Sequence, residues 1–317
     1  MSELERREQL QRELFLSVLM PTKPSVAMAR KMARSMQEVR APRGHVLYEK
    51  GDVADSSFFI TEGTVVLDDD GADPLTFTVG DIVGVVDLNM DRPRSRRAQA
   101  TTDVVLLQLS YDVWIEAQED NVEWTAATGR VVSEMVHKSM LESAAGLEHR
   151  HQEPLDPVPT KFEDTLLARI VLLHGSNYFE RAGVQALAAL AERARGISFE
   201  PGPIIPTDPD SIYLVAEGAV LLERHTAPLL RLSFGRGELL LAGGAFSRSL
   251  DQYEARGAGN GTLLVLRWAD LEDVIEDHFQ LARSLMRGIS LSREHWMDVR
   301  RGRRGSLPAP PIFVVDE

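Results

Sequence analysis

The same order of elements occurs twice in this chain, and no other feature restricts its fold so strongly. From Val39 to about Leu109 the sequence runs through short β-type segments, HVLYE, SFFIT, TVVLDD, LTFTV and VVLLQL, punctuated by Gly44, Gly51, Gly63, Gly71, Gly80 and Gly84. Similar segments fill about 197–266, after a stretch rich in proline, HRHQEPLDPVPT. Many short strands joined by glycine turns predict an antiparallel roll or sandwich. Helical periodicity brackets both regions: residues 2–19, the Val26 to Met36 segment and 112–145 around the first, 162–174, 182–195 and 269–298 around the second. The fold class predicted is α+β, with two antiparallel, jelly-roll-like β-rolls, each flanked by helices.

Individual marks support a duplication. Ser57 to Gly63 matches Ser211 to Gly218 if one residue slides, Gly44 corresponds to Gly202 and Gly80 to Gly235, and VVLLQLSYD corresponds to TLLVLRWAD. The organisation expected is an N-terminal helix at 1–22, a first domain at 23–147, a linker at 148–161, a second and more degenerate domain at 162–299, and a basic, proline-rich tail at 300–317. With 317 residues, 44% of them hydrophobic and 26% charged, the chain has material for two globular cores.

Composition also removes function classes. The absence of cysteine excludes disulfides, thiolate metal sites and thiol nucleophiles. No apolar run has the length of a signal peptide core or a spanning helix, so the expectation is a cytoplasmic protein without a membrane span. A net charge of −13 opposes spread-out binding to nucleic acid, leaving local arginine clusters at Arg92, Arg94, Arg96 and Arg97 and at Arg300, Arg301, Arg303 and Arg304.

The first roll reads GHVLYEKGDVADSSFFITEG from Gly44 to Gly63, VGDIVG from Val79 to Gly84, and RPRSRRAQA from Arg92 to Ala100. It resembles the cyclic nucleotide-binding domain family, over about residues 25–145, and the second copy resembles it through Gly202, Glu217, Gly218 and Gly235. That resemblance implies a phosphate-binding cassette made of a short helix, an arginine paired with the cyclic phosphate and a glutamate that accepts from the ribose 2′-hydroxyl. Carried onto this chain, the ligand-binding candidates are Gly84, Val85, Arg94, Ser95, Arg96 and Arg97. Arg94, directly after Pro93, stands at the phosphate-pairing position, whereas Val85 stands where the ribose acceptor belongs and cannot accept a hydrogen bond. Asp87 stands where a small residue is usual, and Arg96 and Arg97 replace small residues. In the second copy Glu238 follows a glycine one or two residues early for the ribose acceptor, and Arg248 is the only nearby cation to replace the cassette arginine.

Other chemistry has little support. His149 and His151 lie in the linker without further ligands of metal type. No nucleophile elbow, zinc-protease or P-loop motif occurs, and His137, Ser139 and Glu142 form no recognisable triad. No catalytic residue, metal site or resident cofactor is assigned. Only a helix and a short tail follow the second roll, too little for the DNA-binding module that the family often carries. Arg303-Arg304-Gly305-Ser306-Leu307 has the form of a basophilic kinase site, with Ser306 as acceptor. The apolar Ile312 to Val315 segment either docks on its own roll as an added strand or is offered to a partner.

The function expected is that of a non-catalytic regulatory protein. Its first roll senses a cyclic nucleotide, the helix at 126–145 closes over it, and an unidentified protein partner receives the signal. The alternative is a scaffold or assembly component, a homo-oligomer included, whose pockets are vestigial.

Overall fold

The computed structural model describes residues 9–14, 16, 25–69, 72–145, 161–204, 208, 210–226, 230–240, 246, 249–300 and 312–313. The chain divides into two compact units, Met1–Thr128 and Gly129–Glu317. The division falls inside a helix, whereas all but the last residue of the proline-rich linker expected at 148–161 lies outside the described residues.

In unit 1 a helical stretch at 9–14 precedes α1 (Val26–Ser35), whose N-cap Ser25 accepts from the Met28 amide. Strands β1 (Gln37–Ala41), β2 (Val46–Tyr48), β3 (Ser56–Glu62), β4 (Val65–Asp69), β5 (Ala72–Phe77) and β6 (Ile82–Val83) lead to the short helix α2 (Val85–Asn89). Then follow β7 (Arg97–Ala100), β8 (Val104–Ser110), α3 (Tyr111–Glu119) and α4 (Val122–Ala145). The strands form two sheets of order β1-β8-β3-β6 and β2-β7-β4-β5, antiparallel throughout.

The two-residue period of a strand explains how one roll supports two cores. Phe58 and Ile60 turn inward to meet Tyr48, Val65, Val83, Ala98, Ala100 and Leu106. Phe59, between them, turns outward to Met28, Met32, Leu107, Leu109, Trp114 and Trp124. The outer cluster is what the amphipathic α1 and α3 cover, with Trp114 and Trp124 edge-on at 5.4 Å.

Unit 2 repeats this order. Helices α5 (Leu166–His174) and α6 (Val184–Arg193) precede β9 (Arg195–Phe199), β10 (Gly202–Pro203), β11 (Ser211–Glu217), β12 (Val220–Arg224) and β13 (Leu230–Phe234). After a 3₁₀ turn at Ser249–Gln252 come β14 (Glu254–Gly257), β15 (Gly261–Arg267), α7 (Trp268–Asp277), α8 (Phe279–Arg300) and β16 (Ile312–Phe313). The sheets are β11-β15-β9 and β10-β14-β12-β13-β16. The terminal strand pairs with β13, Arg231 opposite Phe313, which is the self-docked arrangement of the apolar terminus.

Hydrogen bonds correct the alignment of the two copies. The ladder of β3 on β8 breaks register between Ile60 and Glu62, and that of β11 on β15 breaks between Val215 and Glu217. Ser56 to Gly63 therefore superposes on Ser211 to Gly218 with no slide. Tyr111 donates to the Asp55 carbonyl as Trp268 does to that of Asp210, so the run from Val104 aligns one residue earlier than the letters suggest, from Gly261. Gly80 donates to Ile60 as Gly237 donates to Val215. The counterpart of Gly80 is thus Gly237, not Gly235, because both glycines hold a positive φ in the same turn.

Candidate functional site

The cassette of the first roll is assembled by backbone before any side chain acts. Gly51 donates to the Arg94 carbonyl at 2.8 Å and Arg94 donates to the Asp52 carbonyl at 2.8 Å, so the β2–β3 turn grips the loop after α2. The turn itself is closed by the Asp52 carboxylate, which accepts from the Glu49 amide at 2.8 Å. On the other side β6 pairs with β3, Val83 opposite Phe58, and delivers Gly84 at φ +88° as the N-cap of α2.

Into this frame Arg94 places its guanidinium. The residue is 2% exposed. Its Nη1 donates to the Gly84 carbonyl at 2.8 Å, its Nη2 donates to the Ser56 carbonyl, and the group lies 4.2 Å from the ring centroid of Tyr48. Glycine is required at 84 twice over, for the positive φ and because a Cβ there would lie 2.6 Å from Arg94 Nη1. Among the described residues no carboxylate pairs with Arg94, and its buried Nε has no hydrogen-bond partner. A buried cation held only by carbonyl dipoles and an aromatic face is under-compensated, since a desolvated charge ordinarily needs a counter-charge.

The remaining candidates separate into different roles. Asp87, buried at the cassette, does not confront an incoming anion. One oxygen binds Arg92 Nε at 2.8 Å and the other accepts from the Ser95 amide at 3.2 Å. Val85 packs against the outer cluster beneath α1 and α3 rather than offering a polar group. Arg96 is buried, whereas Arg97 lies half-exposed on β7, 3.4 Å from Glu49. Sequence reasoning missed Tyr48 and Ser56. Ser56 contributes a carbonyl, which carries no side-chain signal, and Tyr48 is legible only through the inward phase of β2.

Glu238 has a different task from the one its place after a glycine suggests. Its carboxylate accepts from the Gly235 amide at 2.5 Å, as Asp81 accepts from Thr78 at 2.7 Å. It therefore closes the turn equivalent to Gly80-Asp81 and reads no ribose. Burial pushes its carboxyl above the ordinary range. Arg248, His149, His151 and Ser306 lie outside the described residues. Among the described residues no His, Cys, Asp and Glu cluster could hold a metal ion, and no helix is long and apolar enough to cross a membrane.

His137, on the part of α4 that belongs to unit 2, joins no triad. Its Nε2 is hydrogen-bonded to the Tyr253 hydroxyl at 3.0 Å, while Glu142 pairs loosely with Lys138 at 4.0 Å. Desolvation, then the charge of Arg224, lowers the His137 pKa from 6.5 to about 4, against an opposing pull from Asp251. Because the folded state holds the proton less tightly than the unfolded chain, stability is fully present above the unfolded value and declines as the pH falls from 6.5 toward about 4. Urea unfolding of the protein, monitored by hydrogen exchange in peptides containing Tyr253, should show a lower midpoint at pH 4.5 than at pH 7.5. His137→Gln should flatten that difference, and an unchanged pH slope in the variant would refute the assignment.

The model of the family described as cyclic nucleotide-binding domain matches residues 38–121. The first roll belongs to the cyclic nucleotide-binding domain family. No protein of curated function is detectably similar to the chain. Among solved structures, the chain is similar to the regulatory domain of Toxoplasma gondii PKA with cAMP, at 15% identity over 87% of this chain and 94% of that one, with a TM-score of 0.35. It is also similar to the regulatory subunit of a cAMP-independent protein kinase A from Trypanosoma brucei, at 16% identity over 87% and 90%, with a TM-score of 0.34. The assignment of the first roll to the cyclic nucleotide-binding family rests on the match at 38–121.

Proposed function

We propose that this chain is a non-catalytic regulatory protein whose cyclic nucleotide-binding roll takes an anionic nucleotide at Arg94 and passes the event along α4 to a protein partner. The observation that carries this reading is the buried Arg94 guanidinium, which has no carboxylate among the described residues and keeps one donor unpaired. A phosphate would supply the missing charge and form charge-assisted hydrogen bonds. What supports a relay along α4 is that its Trp124 belongs to the outer cluster of unit 1 and its Ser133 accepts from the Phe246 amide within unit 2.

Val85 makes the reading specific. With no acceptor for the ribose 2′-hydroxyl, the site should not distinguish cyclic AMP from its 2′-deoxy analogue by more than about threefold, whereas a site built to bind that hydroxyl loses ten- to a hundredfold, or about 1–3 kcal/mol. Calorimetric titration with cyclic AMP, 2′-deoxy cyclic AMP and cyclic GMP, with Arg94→Lys as the control, tests both parts. Saturable binding that is indifferent to the 2′-hydroxyl and weakened in Arg94→Lys is the expected result. No heat with any of the three sinks the sensor reading.

That outcome would favour the scaffold alternative, for which one observation speaks. Two of the Arg94 donors already hold the Gly84 and Ser56 carbonyls, so the arginine braces the cassette by itself.

A further inference from the structure

A second group of arginines converges in unit 2. Arg193 occupies the last turn of α6, and Ala194 continues in an extended conformation into Arg195 at the start of β9. The pairing of β9 with β15 sets Arg195 opposite Val265. Arg267 follows Val265 by two residues and so shares its face of the sheet. Arg267 is also the N-cap of α7, and its guanidinium forks onto Asp270 in the first turn, Nε to Oδ2 at 2.7 Å and Nη2 to Oδ1 at 2.6 Å.

These four residues and Val265 line a pocket of about 370 Å³. Three guanidinium groups against one carboxylate leave an excess of two positive charges among the lining residues, with Asp273 acting on Arg267 from outside the lining. Asp270 is buried, and both of its oxygens are taken by Arg267. Its carboxyl is held below the ordinary range, first by the hydrogen bond from Arg267 and further by the charges of Arg267, Arg193 and Arg195, so all three cations act on one point. Arg193 spends one Nη1 donor on the Ala189 carbonyl of its own helix at 3.0 Å, and neither Arg193 nor Arg195 has an ion pair among the described residues.

We propose that this pocket binds a phosphate dianion, free or carried on a small monoester. The two excess charges match a dianion, and guanidinium groups present the planar donor forks that phosphate oxygens accept. A cyclic phosphate, a diester with one charge, would leave one cation uncompensated, so this site selects a different ligand from the one proposed at Arg94.

The test is calorimetric titration of the full-length protein with phenyl phosphate, inorganic phosphate and phenyl sulfate. Phenyl phosphate should bind saturably and about tenfold more tightly than the singly charged sulfate ester. The double variant Arg193→Ala/Arg195→Ala keeps the Arg267–Asp270 pair and should lose about tenfold or more in affinity, with a shallower dependence on salt. Asp270→Asn removes the carboxylate that lines the pocket and should tighten binding severalfold, a gain that damage to the fold would not produce. Phenyl phosphate binding more tightly than inorganic phosphate assigns the site to an ester, and equal binding assigns it to the free ion. Absence of saturation at about 10 mM with every probe, or equal affinity in the double variant, overturns the proposal.

Discussion

Arg94→Ala is expected to lower the stability of unit 1 by about 2–4 kcal/mol, even before any ligand is considered. The substitution strips donors from the buried carbonyls of Gly84 and Ser56 and removes the cation from the Tyr48 face. Each buried acceptor left unpaired costs about 1–3 kcal/mol. Part of this is offset, because a guanidinium with no counter-charge among the described residues no longer has to be desolvated. The offset is the reason to expect the middle of the range rather than the sum of the two carbonyl penalties. Hydrogen exchange in peptides covering 56–62 and 82–100 should report the loss, with Arg94→Lys recovering part of it. If Arg94→Ala exchanged as slowly as the parent, the arginine would not brace the cassette, and its burial would need another cause.

Gly63→Ala should cost about 3 kcal/mol or more in unit 1, and Gly218→Ala about the same in unit 2. Both glycines follow the bulged end of a long strand at equivalent places, with φ +85° and +81°. An L-residue pays about 1–2 kcal/mol for the left-handed region alone. At these positions the added Cβ also meets backbone, the Asp103 carbonyl in one unit and the Asn260 carbonyl at 2.6 Å in the other, where no side chain can swing away. Gly44 separates the two causes, because it has φ +88° and a Cβ added there would meet nothing within 4 Å. Gly44→Ala should therefore cost only about 1 kcal/mol. Thermal unfolding of the three variants measures the contrast, and a Gly44→Ala penalty equal to that of Gly63→Ala would show that steric approach plays no part.

Which parts of the site were legible follows from where the signal resides. Arg94 was marked by Pro93 directly before it, as the resemblance implied, and the fold buries its guanidinium against the Gly84 and Ser56 carbonyls. Val85 was recognised as unable to accept a hydrogen bond, yet nothing in its neighbours revealed that it packs against the outer cluster with Phe59 and Trp114. Asp87 read as an obstacle to phosphate because its partners, Arg92 and the Ser95 amide, are brought to it by the fold of the loop.

The sequence by itself determined the duplicated order of elements, the antiparallel β-rolls and the helices on either side. Period-two alternation and glycine turns are local properties that each segment carries wherever it lies. It did not determine the residue-level match between the copies. Gly235 and Gly237 are both glycines, and only the hydrogen bonds from Gly237 to Val215 and from Gly235 to Glu238 tell which one turns the chain. The gathering of Arg193, Arg195 and Arg267 around Asp270 was likewise decided by tertiary structure, since β9 and β15 are distant in sequence and adjacent through pairing. Contacts of that kind depend on strand register, and register is set by the packing of the whole roll rather than by any one of its segments.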